Sequence, residues 1–223
     1  MGIPWFKTLA VFGQELVSNP RPMGAACPSS PGLARRIATL VGARKDNFVL
    51  EIGAGTGSIT AALLRHCVAP EQLIAVERSA PLVGLLRQRF ASVRIIEGDA
   101  CELTATLERL GDIDLRRITH VVSSLPLRSL PPEQVDKISR EFQQLLAHGS
   151  RLVQYTYNLR HGSTTLFTQL RRRATSVVWL NLPPARVEMF SAASSPLSQY
   201  RKRSSPQFSL GAGTKPVNAS PRH

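Results

Sequence analysis

NFVLEIGAGTGS, residues Asn47 to Ser58, is the stretch on which the fold turns. A short apolar run ends in an acid, Glu51. Glycines follow at alternate positions, Gly53, Gly55 and Gly57, and Ile59 to Arg65 reads as a helix. Strand, tight turn and helix N-terminus in that order make a seat for a small polar cofactor, because the turn amides and the helix dipole face outward together.

Downstream of this turn the chain alternates in the βα rhythm of a parallel sheet. The pattern predicts strands over Leu73–Glu77, Val93–Gly98, Ile118–Ser124 and Arg151–Tyr157, and helices over Ala80–Phe90, Leu103–Leu110 and Pro132–Ala147. Thr164–Arg173 has helical spacing. Ser176–Leu180 and Arg186–Phe190 read as a closing antiparallel hairpin joined through Asn181–Ala185. The expected class is α/β: a seven-stranded, mostly parallel sheet with an antiparallel C-terminal hairpin and N-terminal helices.

Upstream, Ile3–Val17 places Trp5, Leu9, Phe12 and Leu16 on one helical stripe. That stripe fits a helix lying in a membrane interface and equally a helix packed on the domain. Three prolines break it, and Ser29-Ser30-Pro31 supplies an N-cap and a first-turn proline for a second helix over Gly32–Val41. Beyond Ser191 the composition turns to Ser, Pro, Gly, Ala and basic residues without periodicity, the signature of a disordered tail. The expected organisation is an N-terminal helix and linker over 1–28, a folded domain over 29–190 and a basic tail over 191–223.

The 223 residues suffice for one full core, and no apolar run is long enough to span a bilayer. The N-terminus lacks the pattern of a secretory signal. Cys27, Cys67 and Cys101 are scattered without metal-ligand spacing, so a reducing compartment and no metal are expected. The formal net charge is +13. From Arg151 onward the chain carries eleven Lys/Arg against one acid, Glu188. So skewed a distribution implies a polyanionic partner, nucleic acid or anionic headgroups.

Ser58 stands where a dinucleotide fingerprint needs its last glycine, which disfavours NAD. Glu51 ends the first strand, where a carboxylate facing the crevice would pair with a ligand ammonium and repel a pyrophosphate. Glu77, twenty residues past Gly57, is placed to accept from both ribose hydroxyls, and Asp99 in Gly98-Asp99-Ala100 to accept from an adenine amine. Three acids at three consecutive strand ends suit a ligand with an amino acid group, a ribose and an adenine, as in S-adenosylmethionine (SAM). The motifs resemble, in order and spacing, the first three of the class I SAM-dependent methyltransferases, over about Ser29 to Phe190.

After strand four comes Ser123-Ser124-Leu125-Pro126-Leu127. Adenine N-methyltransferases carry an amide or acid and an aromatic here; this chain has Ser124 and Leu127. The wider pattern resembles the bacterial phospholipid N-methyltransferases, which are similar to rRNA adenine dimethyltransferases but act on phosphatidylethanolamine. The resemblance is carried by Asn19-Pro20-Arg21, Gly24-Ala25, Pro28 to Pro31, Ser124 to Leu127, Tyr155-Thr156-Tyr157, and Trp179 with Asn181 to Ala185. It implies a SAM site made by Glu51, Gly53, Gly55, Gly57, Glu77, Arg78, Asp99, Ala100 and Ser123. Ser124, Leu125 and Tyr157 stand on the acceptor side, with Tyr155 as the alternative to Tyr157 and His120 and His161 as lesser candidates. It also implies a phospholipid substrate, an anionic membrane surface as partner and a peripheral location on the cytoplasmic face of the inner membrane. An RNA adenine methyltransferase is the second reading, favoured by the basic last third and opposed by Leu127; a membrane- or SAM-binding protein without turnover is the third.

Overall fold

The computed structural model describes residues 30–42, 47–66, 68–164 and 166–193. The helix expected over Ile3–Val17, the linker after it and the basic tail beyond 193 lie outside the described residues. The first described helix, α1 (Pro31–Ala38), starts as expected: the Ser30 hydroxyl accepts from the Leu33 N–H at 3.2 Å and Pro31 opens the first turn.

The strands are β1 (Phe48–Ile52), β2 (Leu73–Glu77), β3 (Arg94–Glu97), β4 (Ile118–Ser123), β5 (Arg151–Thr156), β6 (Leu170–Val178) and β7 (Ala185–Ala192). They form one sheet in the order β3-β2-β1-β4-β5-β7-β6. β1 to β5 pair in parallel, and β7 runs antiparallel between β5 and β6. The order reverses between β1 and β4, which opens a crevice at the carboxyl ends of those strands.

The remaining helices are α2 (Ser58–His66), α3 (Ala80–Arg89), α4 (Leu103–Leu110) and α5 (Pro132–Ala147). A sheet covered on both faces needs apolar residues at successive strand positions, and FVLEI and LIAVE have them. Val49, Leu73 and Ala75 pack with Leu33, Ile37, Ile59, Leu63 and Leu86 from α1, α2 and α3. Leu50, Ile52, Ile74 and Val76 pack on the other face with Leu103, Leu107, Ile138, Phe142 and Leu146 from α4 and α5.

One expected element is absent. Thr164–Arg173 is not a helix: the chain passes through turns after β5, and Leu170 to Arg173 already belongs to β6. Phe167 and Leu170, three apart and both buried, mimic a helical stripe. Their burial comes instead from a turn whose Phe167 ring packs at 5.9 Å from Phe142 and 5.2 Å from Phe190. Pairing with β7 then draws Leu170 to Val178 into the sheet, with an irregularity between Arg172 and Ala174. At the C-terminal end, β7 runs two residues beyond Phe190, to Ala192.

Candidate active site

The turn after β1 is built on left-handed glycines. Gly53 has φ +73° and Gly57 φ +81°, and a Cβ on Gly57 would lie 2.4 Å from Cε2 of Phe90 at the end of α3. Gly53 is confined from the other side, since its Cβ would meet Cδ2 of Leu125 at 2.9 Å. At Gly55 nothing lies within 4 Å of where a Cβ would be, so the middle of the turn faces open space in the crevice.

Glu77 closes this crevice on the β2 side. Its Oε2 accepts from the Gly55 N–H at 2.9 Å, and its Oε1 accepts from the Arg78 and Ser79 N–H groups, each at 3.0 Å. The carboxylate is thereby held between the turns after β1 and β2, with one lone pair of Oε2 left over for a ligand hydroxyl. Asp99 lies two residues past β3; its Oδ1 caps the following turn by accepting from the Cys101 N–H at 2.8 Å, and its Oδ2 is 4.0 Å from Arg78 Nη1. Ala100 sits beside it, half-buried. The expected residues Gly53, Gly55, Gly57, Glu77, Arg78, Asp99 and Ala100 therefore converge on one crevice.

Glu51 lies deeper than expected. Strand alternation sets it on the Val49 side of the sheet, under α2, so the carboxylate is fully buried beneath the turn and not open to solvent. The Thr60 hydroxyl donates to its Oε2 at 2.7 Å, whereas Oε1 is buried without a partner. Burial pushes its carboxyl up to about 8, the Thr60 hydrogen bonds offsetting part of that cost.

On the β4 side, Ser123 is buried at the strand end and its hydroxyl accepts from the Leu125 N–H at 3.4 Å. The Ser124 N–H donates to Ile52 O at 2.9 Å, continuing the strand pairing by one residue, while the Ser124 hydroxyl is buried with no partner. Ser124 to Ser129 form one wall of a cavity of about 170 Å³ whose other walls are Gln154 to Asn158, Ser163 and Leu166. Ser124, Leu125 and Tyr157 all line it, as does Tyr155, whose ring meets that of Tyr157 edge-on at 5.9 Å. Leu127 is buried among the residues facing α4 and α5 and gives the cavity an aliphatic wall.

Sequence reasoning missed three contributors. Gln154 is buried within LVQYT and donates from Nε2 to Leu125 O at 3.1 Å and Tyr155 O at 2.9 Å, leaving Oε1 unpartnered at the cavity. A lone amide at an inward strand position was its signal. Arg128 donates to Gly162 O at 2.6 Å and so ties the two cavity walls together. Glu188 is fully buried on β7, where it accepts from the Ser163 N–H at 2.5 Å and from Arg172 Nη1 at 3.2 Å. Of the two histidines, His120 pairs in register with Arg151, the first residue of β5, and so sits toward the far end of the sheet from the crevice. Burial and the neighbouring Arg151 lower it to about 4. His161 is exposed on the loop after β5.

Comparison with known proteins agrees with this geometry. A family model described as a methyltransferase domain matches residues 49–149. Ornithine lipid N-methyltransferase from Singulisphaera acidiphila is 33% identical over 153 residues, 67% of this chain and 78% of that protein. Ribosomal RNA small subunit methyltransferase A from Geobacter sulfurreducens is 47% identical over only 81 residues, 34% of this chain and 28% of that enzyme. Among solved structures, a TehB-like SAM-dependent methyltransferase from Corynebacterium glutamicum shares the fold at TM-score 0.54 and 14% identity, covering 83% of this chain and 97% of that one. TrmN from Thermus thermophilus does so at TM-score 0.57 and 20% identity, covering 73% and 48%.

Proposed function

Because the chain belongs to the lipid N-methyltransferases, a family of class I SAM-dependent methyltransferases, we propose that it methylates the primary amine of a membrane aminolipid, phosphatidylethanolamine or a relative such as an ornithine lipid. The cofactor is SAM, which supplies an electrophilic sulfonium methyl group.

The residues present fit that cofactor. Gly55 leaves the crevice open where a side chain would close it, and Glu77 holds a fixed carboxylate for a ribose hydroxyl. Asp99, with Arg78 and Ala100 beside it, forms the adenine side. The orphaned Glu51 Oε1 is an acceptor that a cationic amino group would satisfy, and Ser123 closes the base of the crevice.

On the acceptor side, an amine needs a free lone pair to react, and an ammonium has none. The aliphatic wall of Leu125, Pro126 and Leu127 favours the neutral amine by withholding water from the charged form. The carbonyl of Ser124 and the unpartnered Ser124 hydroxyl accept the amine hydrogens and turn the lone pair toward the methyl group, while Leu125 O is already held by Gln154 Nε2 and the Leu127 N–H. Tyr157 and Tyr155 close the opposite wall of the cavity. Most of the rate then comes from positioning. Leu125 lies close over Gly53, leaving no room there for a side chain, so the acceptor wall abuts the cofactor turn.

The observation that carries this reading is the cavity beside the Gly turn, walled by Leu127 where a base would need an aromatic ring to stack on. On this reading the protein works peripherally at the anionic inner face of a membrane, where an aminolipid substrate is found. No helix among the described residues is long and apolar enough to cross one. The RNA reading has the partial ribosomal RNA methyltransferase matches and the basic last third in its favour. Labelled SAM offered in parallel to phosphatidylethanolamine vesicles, ornithine lipid vesicles and total RNA decides between them. Label in lipid is the expected result; label confined to RNA overturns the proposal.

A further inference from the structure

The hairpin between β6 and β7 carries a surface that catalysis does not use. Trp179 is 71% exposed, Leu180 97% and Leu182 87%, the three most exposed large apolar side chains among the described residues. They are adjacent, and a monomer facing only water gains nothing from such a cluster. The tip is also built. Asn181, between the two leucines, is buried; its Oδ1 accepts from the Ser30 N–H at 3.3 Å and its Nδ2 donates to Pro183 O at 2.6 Å. One inward amide thus ties the tip to the start of α1 and turns its leucines outward.

Register sets where the tip lies. β7 runs antiparallel to β5, with Arg186 opposite Thr156, and β6 ends with Val178 opposite Ala185. The tip therefore projects from the same edge of the sheet as the carboxyl ends of β1, β4 and β5, where the acceptor cavity opens. It stands two strand spacings, roughly 10 Å, to the side of β5.

The charge on the tip's side of this edge has one sign. Residues 30–42, 118–132 and 157–187 contain no Asp or Glu, the acids of the edge, Glu77 and Asp99, lying beyond β1 on the cofactor side. Arg36 is held beside the tip by donating to the Ser176 hydroxyl at 2.9 Å, and Arg186 by its bonds to Thr175 and to Leu159 O. Arg35 and Arg160 are exposed nearby on α1 and on the loop after β5.

We propose that Trp179, Leu180 and Leu182 are an interfacial anchor that enters an anionic bilayer, with Arg35, Arg36, Arg160 and Arg186 on its headgroups, so that the acceptor cavity opens onto the lipid surface. The inference rests on the aminolipid reading for its purpose and on the hairpin alone for its geometry. Leucine side chains partition into acyl chains and an indole into the headgroup boundary, and cations complement anionic lipid. Only the Trp179 indole offers a nucleic acid base a face on which to stack, whereas the two more exposed leucines match acyl chains, which favours a bilayer over RNA as the occupant.

The test uses the full chain carrying Trp5→Phe, which leaves Trp179 as the single tryptophan. With phosphatidylglycerol-containing vesicles its emission shifts to the blue and is quenched by bromolipid; with neutral phosphatidylcholine vesicles both effects are weaker. Leu180→Glu with Leu182→Glu lowers vesicle partitioning by about a hundredfold, roughly tenfold for each leucine. Methylation of aminolipid in vesicles falls with it, while SAM binding and methylation of a short-chain aminolipid below its micelle concentration stay unchanged. Unshifted Trp179 emission on vesicles, or partitioning unaffected by the double substitution, overturns the anchor. So does a dimer that the double substitution disperses, or RNA binding that it abolishes. If Trp179 is quenched on vesicles yet no lipid is methylated, the anchor stands and the aminolipid reading falls.

Discussion

A buried carboxyl under the cofactor turn makes the stability of the apo chain fall as pH rises through neutrality. Folded, Glu51 keeps its proton up to about pH 8; unfolded, it gives the proton up above its ordinary value of 4.5. Between those values the folded chain binds more protons, so each pH unit costs about 1.4 kcal/mol of stability. His120 has the opposite sign over a lower window. It stays neutral in the fold down to about 4, while an unfolded histidine takes a proton below 6.5, so raising the pH from 4 to 6.5 favours folding. The two slopes offset each other below pH 6.5, and from 6.5 to 8 only Glu51 of the pair titrates. Across that interval the apo chain loses about 2 kcal/mol, or some 4–8 °C in Tm for a chain of this size.

Glu51→Gln keeps an oxygen for the Thr60 hydroxyl and removes the titration. The assay is urea unfolding of wild type and Glu51→Gln at half-unit steps from pH 5 to 8.5. The variant is expected to be flat above pH 6.5 and to gain on wild type throughout. A cationic amino group against Oε1 reverses the cost, so saturating SAM flattens the wild-type slope. Its binding at pH 7 then releases about one proton, read by calorimetry in two buffers of different ionisation enthalpy. A wild-type profile parallel to that of Glu51→Gln, or rising from pH 6.5 to 8, refutes the reasoning.

Glu77→Ala removes the acceptor for the Gly55, Arg78 and Ser79 N–H groups as well as the ribose carboxylate. SAM affinity is expected to fall at least about thirtyfold, roughly 2 kcal/mol, in equilibrium binding, with Glu77→Gln intermediate. Gly57→Ala combines φ +81° with a Cβ 2.4 Å from Phe90 and 2.9 Å from Leu86, and is expected to cost about 2–3 kcal/mol in denaturant unfolding. Glu188→Ala orphans the Ser163 N–H and frees Arg172, at a cost of about 2 kcal/mol because the guanidinium is partly exposed. Limited proteolysis of that variant is expected to cut first within 158–169.

The cofactor half of the site was legible because its determinants are local. Glycine spacing, an acid at the end of β2 and an acid just past β3 are read within a few residues of the strands that carry them, and the structure brings them to one crevice. The acceptor half was legible in its first wall, Ser124 to Leu127, and not in its second. Gln154, Arg128 and Glu188 act through partners 29, 34 and 25 residues away in sequence. Thr164–Arg173 was misread for a related reason: the burial of Phe167 is set by Phe142 and Phe190, so its helical spacing reports tertiary packing and not helix periodicity. Glu51 is legible as an acid at the head of the turn, but its full burial is not. Strand alternation and Thr60 on α2 decide that, and only the second lies outside the motif. Its burial matters for the chemistry of the turn. A carboxyl that faced the open crevice would be ionised with or without ligand. Beneath the turn it is neutral in the apo chain, and on the proposed reading it ionises only when a cationic group of the cofactor arrives, which couples cofactor binding to the release of a proton.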